Sequence, residues 1–258
     1  MNDSTRLPFL RLSSLVIDAV LSTMIPFELI NLSKASTACK LLVKTFSKNR
    51  IHKNFKIGVS NRWNPRISNG VKITDECGCH YEIAFVHSNG ENLMKKCMEV
   101  FMDIKQVFNV DIDYCGLCLS KLKDLYETII EWLIANLKSI AILSMYLREE
   151  PVALTEHALN SLIMVKRLII HSERTTNCAY NIPDHIEELS ISYGKWIKLE
   201  HLLSFKASVI YISYPELTNE DLNGFLKSWT HGRYCGVRAT AIIHSEDRIA
   251  GKRFERNF

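Results

Sequence analysis

The sequence predicts a chain of mixed class, α+β / α/β, with a three-helix N-terminal module followed by a longer domain of strands and helices. Apolar residues recur at three- and four-residue steps over 9–47, which is the period of amphipathic helices. Short alternating runs fill 49–88, and short apolar clusters return at fairly even intervals in the C-terminal half. With 258 residues, 47% of them apolar, the chain can bury one small module and one larger core.

The N-terminal module is predicted as three helices separated by clear stop signals. The first runs from about Ser14 to Met24, and Ser13 or Ser14 can serve as its N-cap. Pro26 ends it and suits the first turn of a second helix. A third helix is predicted from about Lys34 to Phe46.

The C-terminal half contains a weak repeat of strand-like clusters. The clusters are separated by helical or mixed segments of similar, though uneven, length. Strand and helix at a period of about 20–29 residues is typical of leucine-rich-repeat solenoids. An irregular α/β domain with evenly spaced strands is the alternative. The clusters are Ile140–Ile142, Leu168–Ile170, Leu189–Ile191 and Ile210–Ile212.

Composition excludes several classes of protein. A net charge of +4 and the lack of interleaved basic and aromatic residues argue against nucleic-acid binding. The longest uncharged apolar stretch, 139–147, is far short of the roughly 20 residues of a spanning helix, so no membrane association is expected. Arg11 and Asp18 interrupt any secretory h-region. We therefore expect a cytoplasmic and/or nuclear protein with reduced cysteines, no cofactor and, lacking a catalytic motif, no enzymatic activity.

The N-terminal block resembles an F-box, the three-helix module that docks onto the Skp1 adaptor of a ubiquitin ligase. Leu12 takes the place of the opening leucine, and the central Pro-x-(Asp/Glu)-Leu-Leu-x-Leu motif is matched by Pro26, Glu28, Leu29, Ile30 and Leu32. Ser13 stands where a proline is usual, and Cys39 where many F-boxes carry tryptophan. Both departures leave open whether adaptor binding is retained.

A second segment resembles the F-box-associated domain of the nematode F-box families. It is Tyr214 to Trp229, YPELTNEDLNGFLKSW, and it lies far downstream of the first segment, in the expected order. Together the resemblances imply an F-box domain at 6–48, a β-rich connector at 49–89, and an F-box-associated, leucine-rich-repeat-like domain at 90–230. Residues 231–258 follow as a basic C-terminal tail, with six basic and three acidic residues.

The resemblance implies the substrate-recognition subunit of an SCF-type ubiquitin ligase. Its partners would be a Skp1-like adaptor, a cullin bound through that adaptor, and an unidentified protein substrate. Several adaptor anchors are equally well explained as internal supports of the module, and each aromatic candidate can instead lie in the core. The adaptor anchors are Leu12, Val16, Val20, Met24, Pro26, Leu29 and Ile30, and the substrate anchors are Tyr193, Trp196, Tyr211 and Tyr214.

Two alternatives remain open. A protein-binding scaffold outside degradation would use the F-box differently or would have lost adaptor binding. A zinc-binding protein would use Cys77, Cys79, Cys115 and Cys118, although a Cys-x-Cys-His run with a distant Cys-x-x-Cys is a poor zinc spacing. A redox role of the Cys115-x-x-Cys118 pair lacks the strand-to-helix setting that thioredoxin-like motifs require.

Overall fold

The structure is a computed structural model that describes most of the chain in ten stretches. Its N-terminal part covers residues 9–50, 56–60, 70–74, 80–84 and 90–118. Its C-terminal part covers 125–147, 152–172, 180–230, 239–244 and 252–256.

The N-terminal part is helical, as predicted. A 3-10 turn at Phe9–Arg11 is followed by helices α1 (Ser14–Thr23), α2 (Pro26–Ala35) and α3 (Thr37–Arg50). Each helix begins with a polar partner for its free backbone N–H groups. Ser13 Oγ accepts a bond from Val16 N at 3.4 Å, Glu28 Oε2 accepts from Ile25 N at 2.9 Å, and Ser36 Oγ accepts from Cys39 N at 3.1 Å.

These helices bury one side each. Ile17 and Leu21 of α1 are four residues apart and buried, and Leu29 and Ile30 of α2 and Val43 of α3 are buried with them. The i, i+4 spacing places both α1 residues on a single side, which is the arrangement expected of an amphipathic helix. Most of the remaining surface of α1 is exposed.

The described strands form one ten-stranded sheet in the order β10-β9-β8-β7-β6-β5-β4-β1-β2-β3. The pairs β1–β2, β2–β3 and β9–β10 are antiparallel, and every other neighbouring pair is parallel. The strands are β1 (Lys56–Ser60), β2 (Gly70–Thr74), β3 (His80–Ala84), β4 (Ile112–Cys118), β5 (Ile140–Leu147), β6 (Val165–Ser172), β7 (Glu188–Ser192), β8 (Val209–Ser213), β9 (Ala239–His244) and β10 (Lys252–Arg256).

From β5 to β9 each strand lies beside its predecessor in the sequence. Parallel neighbours need a crossover connection, and most of these crossovers contain a helix. The segment between β6 and β7 has no helix among its described residues, 180–187. The helices are α4 (Gly90–Phe108), preceding β4, then α5 (Tyr126–Asn136), α6 (Val152–Ser161), α7 (Leu199–Ser204) and α8 (Asn219–Thr230).

Side chains alternate between the two faces of the parallel strands. On one face Leu143, Leu168, Leu189 and Ile210 lie in register across four strands and are at most 4% exposed. They belong to one hydrophobic core with buried residues of the helices, including Ile129 of α5. The other face is largely half-exposed, so the sheet has a buried side and an open side.

The mixed helix-and-strand class is confirmed, and all four predicted apolar clusters lie in strands, β5 to β8. The 49–89 segment supplies β1–β3, and β1 pairs directly with β4. The segment predicted as a basic tail contains β9 and β10, and β9 pairs with β8. The basic residues around Ala239–His244 made this strand hard to recognise in the sequence. The predicted domain boundaries stay predictions.

Among the described residues, none of the helices has the length and hydrophobicity needed to cross a membrane.

Candidate functional site

An apolar patch lies exposed on the N-terminal module. Leu15, Val16 and Val20 of α1 are 79%, 44% and 40% exposed, and they lie away from the buried side of the helix. The turns before and after α1 add further exposed apolar side chains. Since so many large apolar side chains face water, this module has more apolar surface than its own interior buries. We name as the N-terminal apolar patch Leu10, Leu15, Val16, Val20 and Ile25.

The predicted adaptor anchors divide between this patch and the interior. Val16 and Val20 are exposed, whereas Leu12 and Met24 are half-buried and pack against the core. Leu29 and Ile30 are only 1% and 4% exposed. Pro26 is buried too. The assignment of these three α2 residues as surface anchors is therefore corrected: they lie on the inner side of α2 and support the module.

The open side of the sheet carries a row of aromatic and polar residues. Alternation along the strands brings them to the same face, with half-exposed rings and hydroxyls. Ser144 and Cys118 share this face but are buried. We name as the open sheet face the residues Tyr114, Tyr146, Arg167, Ile169, His171, Glu188, Ser190 and Tyr211.

Three of these aromatic residues are held by one another. The Tyr114 and Tyr146 hydroxyl oxygens are 3.1 Å apart, within hydrogen-bond distance. The Tyr146 ring stacks on the His171 imidazole with centroids 4.5 Å apart and planes 2° from parallel. Burial raises the pKa of Tyr114, so its hydroxyl stays protonated and available as a hydrogen-bond donor. The open sheet face therefore presents an ordered aromatic surface across β4, β5 and β6.

An ion pair lies on the open sheet face, near the amino ends of β6 and β7. Arg167 and Glu188 lie opposite each other in register, with Arg167 Nε 3.2 Å from Glu188 Oε2. The two side chains are 44% and 43% exposed, so the pair contributes little to stability. Its charges remain accessible at the surface.

A pair of tyrosines marks the carboxyl ends of β7 and β8. Tyr193 and Tyr214 stack with ring centroids 5.7 Å apart and planes at 21°. Beside them the Gly194 N–H donates to the Ser213 carbonyl at 2.7 Å, and a Cβ on Gly194 would lie 2.5 Å from Ile212 Cγ2. Only glycine allows this close approach of the two strand ends.

The predicted substrate anchors are also divided. Tyr193, Tyr211 and Tyr214 are 53%, 36% and 38% exposed, but Trp196 is only 3% exposed. Its indole packs edge-on against the Tyr180 ring, with centroids 5.4 Å apart. Trp196 is therefore corrected from a surface anchor to a core residue, because its ring packs against the Tyr180 and His201 rings instead of facing solvent.

Sequence reasoning missed Tyr114, Tyr146 and His171. The pairing of Tyr146 with His171 could have been predicted from the register of the strands. Once Leu143, which directly follows the first apolar cluster, is paired with Leu168, Tyr146 must lie opposite His171, three residues further on. Finding Tyr114 would also have required predicting β4.

Among the described residues, the cysteines form no zinc site. Cys115 and Cys118 are three residues apart on β4, so their side chains point to opposite faces of the sheet. Burial raises the pKa of the Cys97 and Cys115 thiols to about 12 in each case, which keeps both protonated near neutral pH. Cys77 and Cys79 lie outside the described residues.

Comparison with protein families identifies one matching region. Residues 179–235 match the family described as "F-box associated". This region contains β7, α7, β8 and α8, and with them the stacked pair Tyr193 and Tyr214 and the exposed Tyr211. No curated protein and no solved structure matches the chain.

Proposed function

We propose that this chain is the substrate-recognition subunit of an SCF-type ubiquitin ligase. The observation that carries the proposal is the F-box-associated match at residues 179–235, on a chain whose N-terminal module exposes an apolar patch. A match of this kind supports a role in binding a target protein. The F-box resemblance of the N-terminal module supports a role in binding the ligase.

The N-terminal apolar patch is the proposed contact with a Skp1-like adaptor. Leu15, Val16 and Val20 project from the exposed part of a helix, which suits insertion into a hydrophobic groove. Leu29 and Ile30 hold α2 against the core from within, so they contribute to the shape of the surface rather than to its contacts. The cullin would be bound through the adaptor.

The two departures from the F-box pattern are compatible with this role. Ser13, in place of the usual proline, caps α1 through its side chain, so the helix start is intact. Cys39 is 8% exposed and fills an interior position, so the smaller side chain lies away from the patch. Neither residue favours the scaffold alternative over the ligase.

The open sheet face and the stacked pair Tyr193 and Tyr214 are the proposed target-binding surface. Consecutive parallel strands from β4 to β9, each beside its predecessor, support the leucine-rich-repeat-like character of this domain. In such an architecture one face of the sheet stays free of helices and offers an extended surface. Tyrosine is a favoured anchor because it combines a rigid ring with a polar tip.

The proposed mechanism is tethering. Two binding surfaces on one chain raise the effective concentration of target lysines near the charged ubiquitin-conjugating enzyme. No catalytic residue is proposed, because ubiquitin transfer would belong to other subunits. The cytoplasm and/or nucleus is the compartment in which such a ligase would act.

Adaptor binding by matched aspartate variants tests the proposal. The purified full chain is titrated with a Skp1-like adaptor, and Val16→Asp combined with Val20→Asp is expected to abolish binding. The control is Ile134→Asp combined with Ile163→Asp, which adds the same two charges at side chains that are 45% and 72% exposed and lie outside the N-terminal module. Failure of the unaltered chain to bind, or equal loss with the control, would overturn the adaptor assignment.

Target capture tests the second surface separately. Proteins captured from cells by the unaltered chain are compared with those captured by Tyr146→Ala combined with Tyr211→Ala. Proteins lost from the variant while the adaptor is retained are the expected targets. An unchanged set of captured proteins would remove the open sheet face from the proposal.

A further inference from the structure

A groove rich in lysine runs between α3 and α4. Its two parts have volumes of about 440 and 650 Å³ and share Gln106 and Val107 as lining residues. Lys40, Lys44 and Lys48 of α3 line it at four-residue intervals. That spacing places them along one side of the helix, about 6 Å apart along its axis. We name this feature the lysine groove.

The charge of the lysine groove is strongly positive. Among the described residues that line it are five lysines, Lys34, Lys40, Lys44, Lys48 and Lys105, and a single carboxylate, that of Asp103. Three of the lysines are engaged locally. Lys34 pairs with Asp103 at 2.5 Å and Lys40 donates to Gln106 Oε1 at 2.7 Å. Lys105 binds Asp111 at 3.0 Å and the Asn136 carbonyl.

Lys44 and Lys48 have no such partners within the described part of the chain. Both line the larger part of the groove, and both are exposed there. Two uncompensated ammonium groups on adjacent turns repel each other. An anion placed between them would remove that repulsion and gain two charge-assisted hydrogen bonds.

Ser47 provides a second, independent sign of a ligand. It lies between these lysines in sequence and lines the same part of the groove, yet it is only 6% exposed. Its Oγ is buried without a hydrogen-bond partner among the described residues. An unpaired buried hydroxyl costs free energy unless something binds it.

From these observations we propose that the lysine groove binds a compact anion carrying two or more phosphate groups. Phosphate oxygens accept several bonds each, so one group can bind Lys44 and Lys48 together, and also the Ser47 hydroxyl once that side chain turns towards the groove. The remaining length of the groove, towards Lys40, accommodates a second phosphate. Its volume of several hundred Å³ matches a small-molecule site rather than a protein interface.

A purely structural role of the same lysines predicts different behaviour. The groove contains the C-terminal end of α4 at Phe108, where the helix dipole is negative. If Lys44 and Lys48 only neutralise that end, their loss lowers stability and no anion binds. Binding and stability must therefore be measured on the same variants.

Calorimetric titration of the full chain with inorganic tripolyphosphate tests the proposal. We expect one ion bound per chain, with affinity falling as KCl is raised. Lys44→Ser combined with Lys48→Ser should weaken binding at least about tenfold, the equivalent of one charge-assisted hydrogen bond. The control, Lys138→Ser combined with Lys206→Ser, removes the same charge at exposed positions outside the groove and should change affinity less than about twofold.

Ser47→Ala separates binding from folding. It should weaken tripolyphosphate binding while raising the thermal unfolding midpoint of the free chain, because the unpaired hydroxyl is gone. Vesicles of phosphatidylcholine with and without a phosphoinositide show whether lipid headgroups reach the same site, since tripolyphosphate would then displace them. The proposal is overturned if tripolyphosphate does not bind, if both double variants weaken it equally, or if the lysine variant loses stability with unchanged binding.

Discussion

Tyr193 and Tyr214 occupy equivalent positions in successive strand–helix units, and their rings stack on each other. Each residue directly follows its strand, β7 or β8, and each has a left-handed backbone, with φ of 60° and 58°. This conformation costs a non-glycine residue about 1 kcal/mol or more. The same strained backbone at both tyrosines places their two rings in contact. Strain of this kind is typical of functional surfaces, so it supports a role for the stacked pair.

Glycine and alanine variants measure the strain at this position. In urea denaturation Tyr193→Gly should be more stable than Tyr193→Ala by about 1 kcal/mol, because only glycine adopts positive φ freely. Both variants lose the same stacking contact, so the difference isolates the backbone.

Tyr211 is the matched control, since it is an exposed tyrosine on β8 with an extended backbone. There the order reverses, and Gly should be less stable than Ala by about 0.5–1 kcal/mol. If glycine were less stable than alanine at position 193 as well, the left-handed backbone of Tyr193 would carry no cost.

Much of the fold was predictable because its elements follow simple patterns. The strands β5 to β8 are short runs of aliphatic residues, as expected of parallel strands in a sheet. Strand β4 was missed because Asp113 and Gly116 interrupt its apolar pattern. Strand β9 was missed because the basic residues around it dominate the composition of 231–258.

The candidate surfaces were less predictable, because exposure depends on packing between elements. Periodicity places Val16 and Leu21 on the same helix, but only the position of α3 decides which side is buried. Trp196 and Tyr193 are equally plausible anchors by residue type, yet Trp196 is 3% exposed, against the Tyr180 and His201 rings, and Tyr193 is 53% exposed. The lysine groove depends on the contact between α3 and α4, which no local pattern predicts.

Truncation of buried and exposed residues in the N-terminal module should have opposite consequences. Leu29→Ala should cost about 2–5 kcal/mol of unfolding free energy, because its side chain is 1% exposed and a cavity would remain. Val16→Ala should change stability by no more than about 0.5 kcal/mol, because the side chain is 44% exposed. Urea denaturation of both variants provides the measurement.

Adaptor affinity completes this comparison. Val16→Ala should weaken binding of the Skp1-like adaptor without loss of stability, which is the signature of a contact residue. Equal destabilisation by Val16→Ala and Leu29→Ala would mean that Val16 supports the interior, and the N-terminal apolar patch would lose one of its members.

His201 makes the first turn of α7 sensitive to pH. Its Nδ1 accepts a hydrogen bond from the Lys198 N–H at 2.9 Å, which requires a neutral imidazole. Partial burial, with a smaller contribution from the Lys198 charge, lowers the pKa of His201 below 6.5, although Glu200 opposes the shift. The unfolded chain therefore takes up this proton first as pH falls, so the contribution of His201 to stability is complete above pH 6.5 and is lost as pH falls through the folded pKa.

Two measurements check this dependence. In an NMR titration the His201 imidazole should have a lower midpoint in the folded chain than in the same chain unfolded in urea, which serves as an internal reference. His201→Phe, which removes the acceptor, should reduce stability more at pH 7.5 than at pH 5.0, because the protonated imidazole can no longer accept the Lys198 bond. A folded midpoint equal to or above the unfolded one would contradict both the lowered pKa and the neutral acceptor at α7.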